Sequence, residues 1–248
     1  MNKKLIRTCV ALVAFAAFAI APATSSAHWL KETAGGALIF ANPGNKFVAY
    51  SEEGMPPARF QGSNGWIIEC DENILTGTIH ANHDVNGNVQ LTVEDVWFQG
   101  KEPQTQCKST LGPAKVTVPA VTNFGGAQHW CIKTAIGTDN FAVEPRNCTG
   151  AGGVFTFVVH MGGIKCAFER VENMPGTFTT GDVLNKPATL KLLEGQKFVT
   201  DPAIEHSFMC PQTWTLNNVA FELYTDTGPT SNQWRNPVDT VDPLFLTE

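Results

Sequence analysis

The stretch from Val154 to Val171 constrains the fold of this chain more than any other. It reads VFTFVVHM, two glycines, then IKCAFERV. Gly162-Gly163 suits the positive-φ turn of a two-residue hairpin. With those glycines as the loop, Met161 faces Ile164, Val159 faces Cys166 and Phe157 faces Phe168. That face is wholly apolar. His160 pairs with Lys165 and Thr156 with Glu169 on a second, mostly polar face. Pattern and turn chemistry agree on one register, which is what specifies a hairpin.

The remainder repeats the theme. Short alternating runs bounded by turn residues recur at intervals of about ten residues, and no segment combines helical apolar spacing with caps. A second hairpin is expected where LTGTIHANH and NVQLTVEDVWF flank Asp84 to Gly87. A three-residue loop ending at Gly87 pairs Ile79 with Val93 and Ala81 with Leu91. Glu52–Ser63 and Asn173–Pro187 read as turn-rich connections. Glu194-Gly195 reads as a turn between TLKLL and QKFVT, and Thr215 to Tyr224 as one strand. The expectation is an all-β fold, a disulfide-stapled antiparallel β-sandwich, as one large module or two closely packed ones. Residues 28–122 would form the N-terminal module and residues 123–248 the C-terminal one, or the two would be a single domain.

Residues 1–27 read as a signal peptide. Lys3, Lys4 and Arg7 precede an apolar run from Cys9 to Ile20, too short to span a bilayer, and small residues allow cleavage after Ala27 or Ala23. The layout is bacterial in style and places the protein outside the cytoplasm, secreted or periplasmic. The whole chain carries a net charge of −6. The leader holds three basic residues and no acidic one, so the mature chain is more acidic still. Nucleic acid is not an expected partner, and an anionic membrane surface would need a local basic patch, which the linear sequence does not display. No later stretch is long and apolar enough to span a membrane.

Six cysteines follow the leader: Cys70, Cys107, Cys131, Cys148, Cys166 and Cys210. An even count in an exported chain points to three disulfides. No pair has CxxC spacing, which argues against a zinc ribbon or a thioredoxin-type site. A hairpin centred between Asp139 and Asn140 would put Cys131 opposite Cys148, with Cα atoms about 4.5 Å apart in a non-hydrogen-bonded pair. The pairings Cys70–Cys107 and Cys166–Cys210 stay open among the alternatives.

From Trp66 onward, IIEC followed by LTGTI, then VQLTVEDVWFQG, the His129-Trp130 pair and the GIKCAF strand resemble exported bacterial proteins of the alkane-oxidation protein activator type. The second half is similar to secreted actinobacterial proteins that end near a PLF motif, here Pro243-Leu244-Phe245. The resemblance spans roughly residues 65–246. It implies a place at the cell surface or in the extracellular matrix, and it transfers no catalytic or binding residue.

Motifs for acyl transfer or zinc hydrolysis (GxSxG, SxxK, HExxH) are absent, and cysteines in disulfides supply no thiolate. His80 and His83 fall on opposite faces of a strand, so one metal is not readily held by both. Glu69 with Asp71, and Glu94 with Asp95, are carboxylate pairs whose separation decides whether glycosidase chemistry is open to them. Trp234, in the polar run SNQWRNP, is the candidate exposed aromatic of a contact surface. Cleavage after Ala27 would expose His28 as an N-terminal copper chelator, with His129, His160 or His206 as partner. Three readings follow. The first is a non-catalytic protein of the envelope or matrix acting by surface contact, with no cofactor. The second is a copper-dependent oxidoreductase built on His28. The third is a small-molecule carrier, which requires an enclosed apolar cavity.

Overall fold

The computed structural model describes residues 29–34, 37–41, 43–83, 88–101, 105–118, 129–135, 138–150, 153–180, 187–201, 207–226 and 241–247. These residues form strands and turns, with no helix among them. In chain order the strands are β1 (Trp29–Ala34), β2 (Ala37–Phe40), β3 (Lys46–Ser51), β4 (Ala58–Gly62), β5 (Ile67–Cys70), β6 (Glu72–Asn82), β7 (Val89–Gln99), β8 (Cys107–Ser109) and β9 (Gly112–Thr117). They continue with β10 (Trp130–Thr134), β11 (Asn140–Glu144), β12 (Phe155–Met161), β13 (Ile164–Arg170), β14 (Met174–Thr179), β15 (Thr189–Leu192), β16 (Gln196–Thr200), β17 (Thr213–Asn217), β18 (Ala220–Asp226) and β19 (Val241–Thr247).

The pairings close on themselves. β3, β6, β7, β10, β11, β14, β15 and β18 pair antiparallel in that order, and β18 returns to β3. β4, β5, β8, β9, β12, β13, β16 and β17 form a second circuit, with β17 returning to β4. The chain crosses between circuits within each of the pairs β3–β4, β5–β6 and onward to β17–β18. Where the junction is short, as at β5–β6, β15–β16 and β17–β18, the pair is one long strand stepped across two tiers, and in both circuits the strands follow chain order around a closed antiparallel barrel. The first circuit is the upper tier and the second the lower tier. A two-sheet sandwich, the sequence expectation, leaves open edges; closure through the β18–β3 and β17–β4 pairings removes them.

The steps between tiers are where sequence and structure part. Turn residues at Pro56-Pro57, Glu194-Gly195 and Asn218 mark offsets within a long strand rather than reversals. β15 does not fold back on β16; it pairs with β14 and β18. The segment read as Asn173–Pro187 connection contains β14, whose Gly176 faces Phe141 across the ladder. A Cβ at position 176 would stand 2.3 Å from Phe141 Cζ, so the glycine is there to admit that ring. Glu52–Ser63 likewise contains β4.

The β12–β13 hairpin has the expected register, from Phe155 opposite Arg170 to Met161 opposite Ile164. Gly162 and Gly163 both adopt positive φ, at 53° and 79°. The β6–β7 pair does not follow its expected register: Ile79 faces Leu91, and Asn82 faces Val89. The ladder starts one residue out of the expected register at Asn82–Val89, and two bulges displace it by one more between them. Glu94 is an extra residue on β7 and His80 an extra residue on β6, and their offsets cancel. The apolar positions of β7 record the first bulge, running Val89, Leu91, Val93 and then Val96, Phe98. Gly77 beside it has no room for a side chain, since a Cβ would lie 1.9 Å from the Thr92 carbonyl oxygen.

The disulfides are Cys70–Cys107, Cys131–Cys148 and Cys166–Cys210. The Cys131–Cys148 bond forms by a route other than the expected ladder. Cys131 faces Glu144 across β10–β11, not Cys148. β11 stops before Pro145, which cannot donate to a ladder. The chain then folds back through a turn in which Asn147 Oδ1 accepts from the Thr149 amide at 3.1 Å, bringing Cys148 over Cys131.

Strands before residue 122 form one arc of the barrel and strands after it the other; the arcs join through β7–β10, β9–β12, β18–β3 and β17–β4 and bury one shared core. β19 extends from β18, and β1 bridges β19 to β2. This flap covers the upper end. Leu30 and Leu244 are buried beneath it, and Asn82 clamps it, its side-chain amide donating to the Leu30 and Ala41 carbonyls at 2.7 and 2.8 Å.

Candidate contact surface

Three reversals at the lower end are short, and the fourth, between β16 and β17, is anchored through its described residues 207–210. The β12–β13 turn is two glycines. The β8–β9 turn places Leu111 at its tip, with Ser109 Oγ accepting from the Leu111 amide and donating to the Gly112 carbonyl. Leu111 packs over the glycine turn: its carbonyl oxygen and Cβ lie 3.5 and 3.8 Å from where a Cβ on Gly162 would stand. Residues 207–210, before β17, form the third element. The Lys165 carbonyl accepts from the Ser207 amide at 3.0 Å, and Ser207 accepts in turn from Cys210. The Cys166–Cys210 bond ties the turn to β13. Asn64, at the β4–β5 turn, donates to the Met209 carbonyl at 3.4 Å.

Held at both ends, this turn presents its two central side chains to water. Phe208 is 95% exposed and Met209 45%, and Leu111 beside the adjoining turn is 39% exposed. Single exposed apolar residues need no explanation, but three on neighbouring tips of one barrel end form a patch. Phe208 is the extreme case, because the fold buries the other large rings that the sequence supplies nearby. Phe155, Phe157, Phe168, Phe198 and Trp214 are all fully buried.

On the outer wall beside this end, β9, β12 and β13 lie side by side. His160 is opposite Lys115 on one flank and Lys165 on the other. All three are exposed. Neither lysine has an ion-pair partner among the described residues; Lys108, on the neighbouring β8, is paired with Asp71 at 3.4 Å.

Comparison with family models, curated proteins and solved structures finds no match to this chain.

Other sequence candidates fall elsewhere. Glu94 and Asp95 sit at the β7 bulge on the upper tier. Burial raises the Glu94 carboxyl, but hydrogen bonds from Thr78 at 2.5 Å and Lys46 at 3.1 Å, with the lysine charge, outweigh it and hold the group low. Lost hydration and then the Glu94 charge push Asp95 up. The two are adjacent on one strand and differently solvated, while no cleft separates them for a sugar ring. His80 is exposed at its bulge, and His83 lies beyond the end of β6 with φ 73°. His129 precedes β10 in the upper tier, whereas His160 belongs to the lower tier. No group of three metal-binding side chains occurs among the described residues. His28, His206 and Trp234 lie outside the described residues, as do both cleavage positions.

Among the described residues a small apolar void lies in the upper tier. It has a volume of about 30 Å³, and its lining, including Leu75, Ile132, Val143, Met174 and Leu190, is apolar throughout. Ligand pockets are roughly ten times larger or more, so this is a packing defect and not a carrier's chamber.

Sequence reading missed Leu111, Phe208, Met209, Lys115 and Lys165. The signals were faint. Phe208-Met209 breaks the alternation just before Cys210, and the hairpin register already set His160 beside Lys165. Lys115 joins them only through the non-local β9–β12 pairing.

Proposed function

We propose that this is a secreted, non-catalytic β protein of the bacterial envelope or extracellular matrix, acting by surface contact through the lower end of its barrel. The observation that carries this reading is the exposure of Phe208, with Met209 and Leu111, on turns fixed by hydrogen bonds and a disulfide. Rigid apolar tips bind with little ordering cost, because the side chains are already where the partner meets them. Three disulfides fit an oxidising compartment. The leader sequence and the resemblance to cell-surface proteins of the alkane-oxidation protein activator type point the same way.

The test is association of the mature protein with isolated cell envelopes. The triple variant Leu111→Ser, Phe208→Ser, Met209→Ser should fold normally, since the three side chains project into water. The account expects wild type to sediment with envelopes and the triple variant to remain in solution at equal thermal stability. Equal sedimentation of the two, or no sedimentation of wild type, would contradict it.

A further inference from the structure

The apolar tips and the basic row belong to one surface, and together they select a partner. Lys115, His160 and Lys165 are set back from the Gly162-Gly163 turn by about two strand residues, or roughly 7 Å at the rise of an extended chain. Leu111 packs on that turn, and the Ser207 amide donates to the Lys165 carbonyl, so the exposed Phe208 and Met209 share the lower end with the cations. The nearest carboxylate on β9, β12 or β13 is Glu169, four residues along β13 from Lys165. A net-negative chain thus carries, at this end, exposed apolar side chains beside a short row of cations with no ion-pair partner among the described residues.

That pairing of exposed apolar side chains with adjacent cations matches a lipid interface with anionic headgroups. Apolar side chains that enter an interface sit about 5–10 Å below the headgroup boundary, and lysines at headgroup level each add about a fivefold gain in binding to an anionic surface. An acidic polypeptide would use the lysines but would give Phe208 no apolar phase to enter. Resting on the surface-contact reading, we infer that the lower end docks on anionic lipid membranes, with Phe208, Met209 and Leu111 entering the interface and Lys115 and Lys165 contacting headgroups.

The experiment is flotation of the full mature chain with vesicles of phosphatidylcholine alone and of phosphatidylcholine mixed equally with phosphatidylglycerol. Phe208→Trp serves as an insertion probe, because its emission shifts to the blue on entering the interface. The expected result is preferential, salt-sensitive binding to the anionic vesicles, accompanied by that blue shift. Lys115→Gln with Lys165→Gln should weaken binding about 25-fold. Phe208→Ser should weaken binding while leaving the anionic preference intact. Thermal melts of each variant establish that the fold is retained. Equal binding to both vesicle types, or anionic binding without a shift at Phe208→Trp, overturns the inference. So does salt-sensitive binding to polyglutamate in place of vesicles. Envelope association by wild type with no vesicle binding removes the lipid partner alone and leaves the surface-contact reading standing; failure of both removes both.

Discussion

The two tiers of the barrel are built from the same long strands yet packed differently. The lower tier is filled by rings. Phe157 stacks on Phe168 at 5.5 Å with planes 8° apart, Phe168 stacks on Trp214 at 5.4 Å, and Phe60 and Phe198 meet them edge-on. Three of its four reversals are short, and two disulfides lie in it. The upper tier also buries rings, among them Phe47, Phe141, Phe178 and Phe221, but interleaves them with aliphatic side chains, holds one disulfide, contains the void and is closed by a flap. The difference places a stacked, disulfide-tied layer directly behind the apolar tips. A surface that acts by contact needs tips that do not yield, and packed aromatic rings with disulfides supply that rigidity.

The largest expected effect breaks the lower tier. Phe157→Ala should cost about 3–5 kcal/mol in denaturant melts, the usual range for truncating a buried Phe. His160→Ala, on the same strand but facing water, should cost no more than about 0.5 kcal/mol. Equal costs would mean that the outer face of β12 is covered.

Disulfides sharpen the contrast next. Cys166 and Cys210 are 44 residues apart, Cys131 and Cys148 are 17 apart. Loop-closure entropy assigns about 4 kcal/mol to the first bond and about 3 kcal/mol to the second. Paired Cys→Ser variants measured by urea unfolding check the order, and a larger loss at Cys131–Cys148 would reverse it.

A matched methylene addition compares the tiers directly. Val159→Ile in the lower tier should destabilise by about 1–3 kcal/mol, because no space is available. Val143→Ile, beside the void, should stabilise by about 0.8 kcal/mol, the yield of one buried methylene. Calorimetry that finds the same sign for both removes the packing difference.

The smallest effect concerns Asp95. Its folded-state pKa is raised, so its charge opposes folding above the ordinary carboxylate range. Asp95→Asn should therefore stabilise at neutral pH, by no more than about 0.5 kcal/mol given its exposure to water. The gain should fade as pH drops through the raised folded value and vanish below about 4, the ordinary Asp value, where wild type becomes protonated in both states. A gain that grows in acid would contradict the assignment.

Legibility in the sequence followed the range of the interaction. The β12–β13 hairpin was readable because two glycines and an alternating face are local signals. Closure through β18 and β3 was not, since nothing local pairs Phe47 with Thr225. Turn chemistry misled at the tier steps: Gly195 has φ 79° whether the chain reverses or merely steps, and only the ladder partners decide. The β6–β7 register was missed by one residue at Asn82–Val89, and the bulges at His80 and Glu94 displaced the stretch between them by one more. The Cys131–Cys148 bond was expected, yet its geometry depends on the turn at Asn147 and not on strand pairing. The basic row escaped notice because its lysines are fifty residues apart in sequence, Lys115 and Lys165 meeting across His160.

Native-state hydrogen exchange tests the central claim, a rigid lower tier supporting the contact end, most directly. Local stability follows buried contacts and covalent ties. Amides in the β12–β13, β16–β17 and β4–β17 ladders should be the slowest in the protein and exchange only by global unfolding. Amides in the β14–β15 ladder beside the void should exchange faster, through partial opening of the upper tier. Upper-tier protection equal to or greater than that of the lower tier would contradict the account.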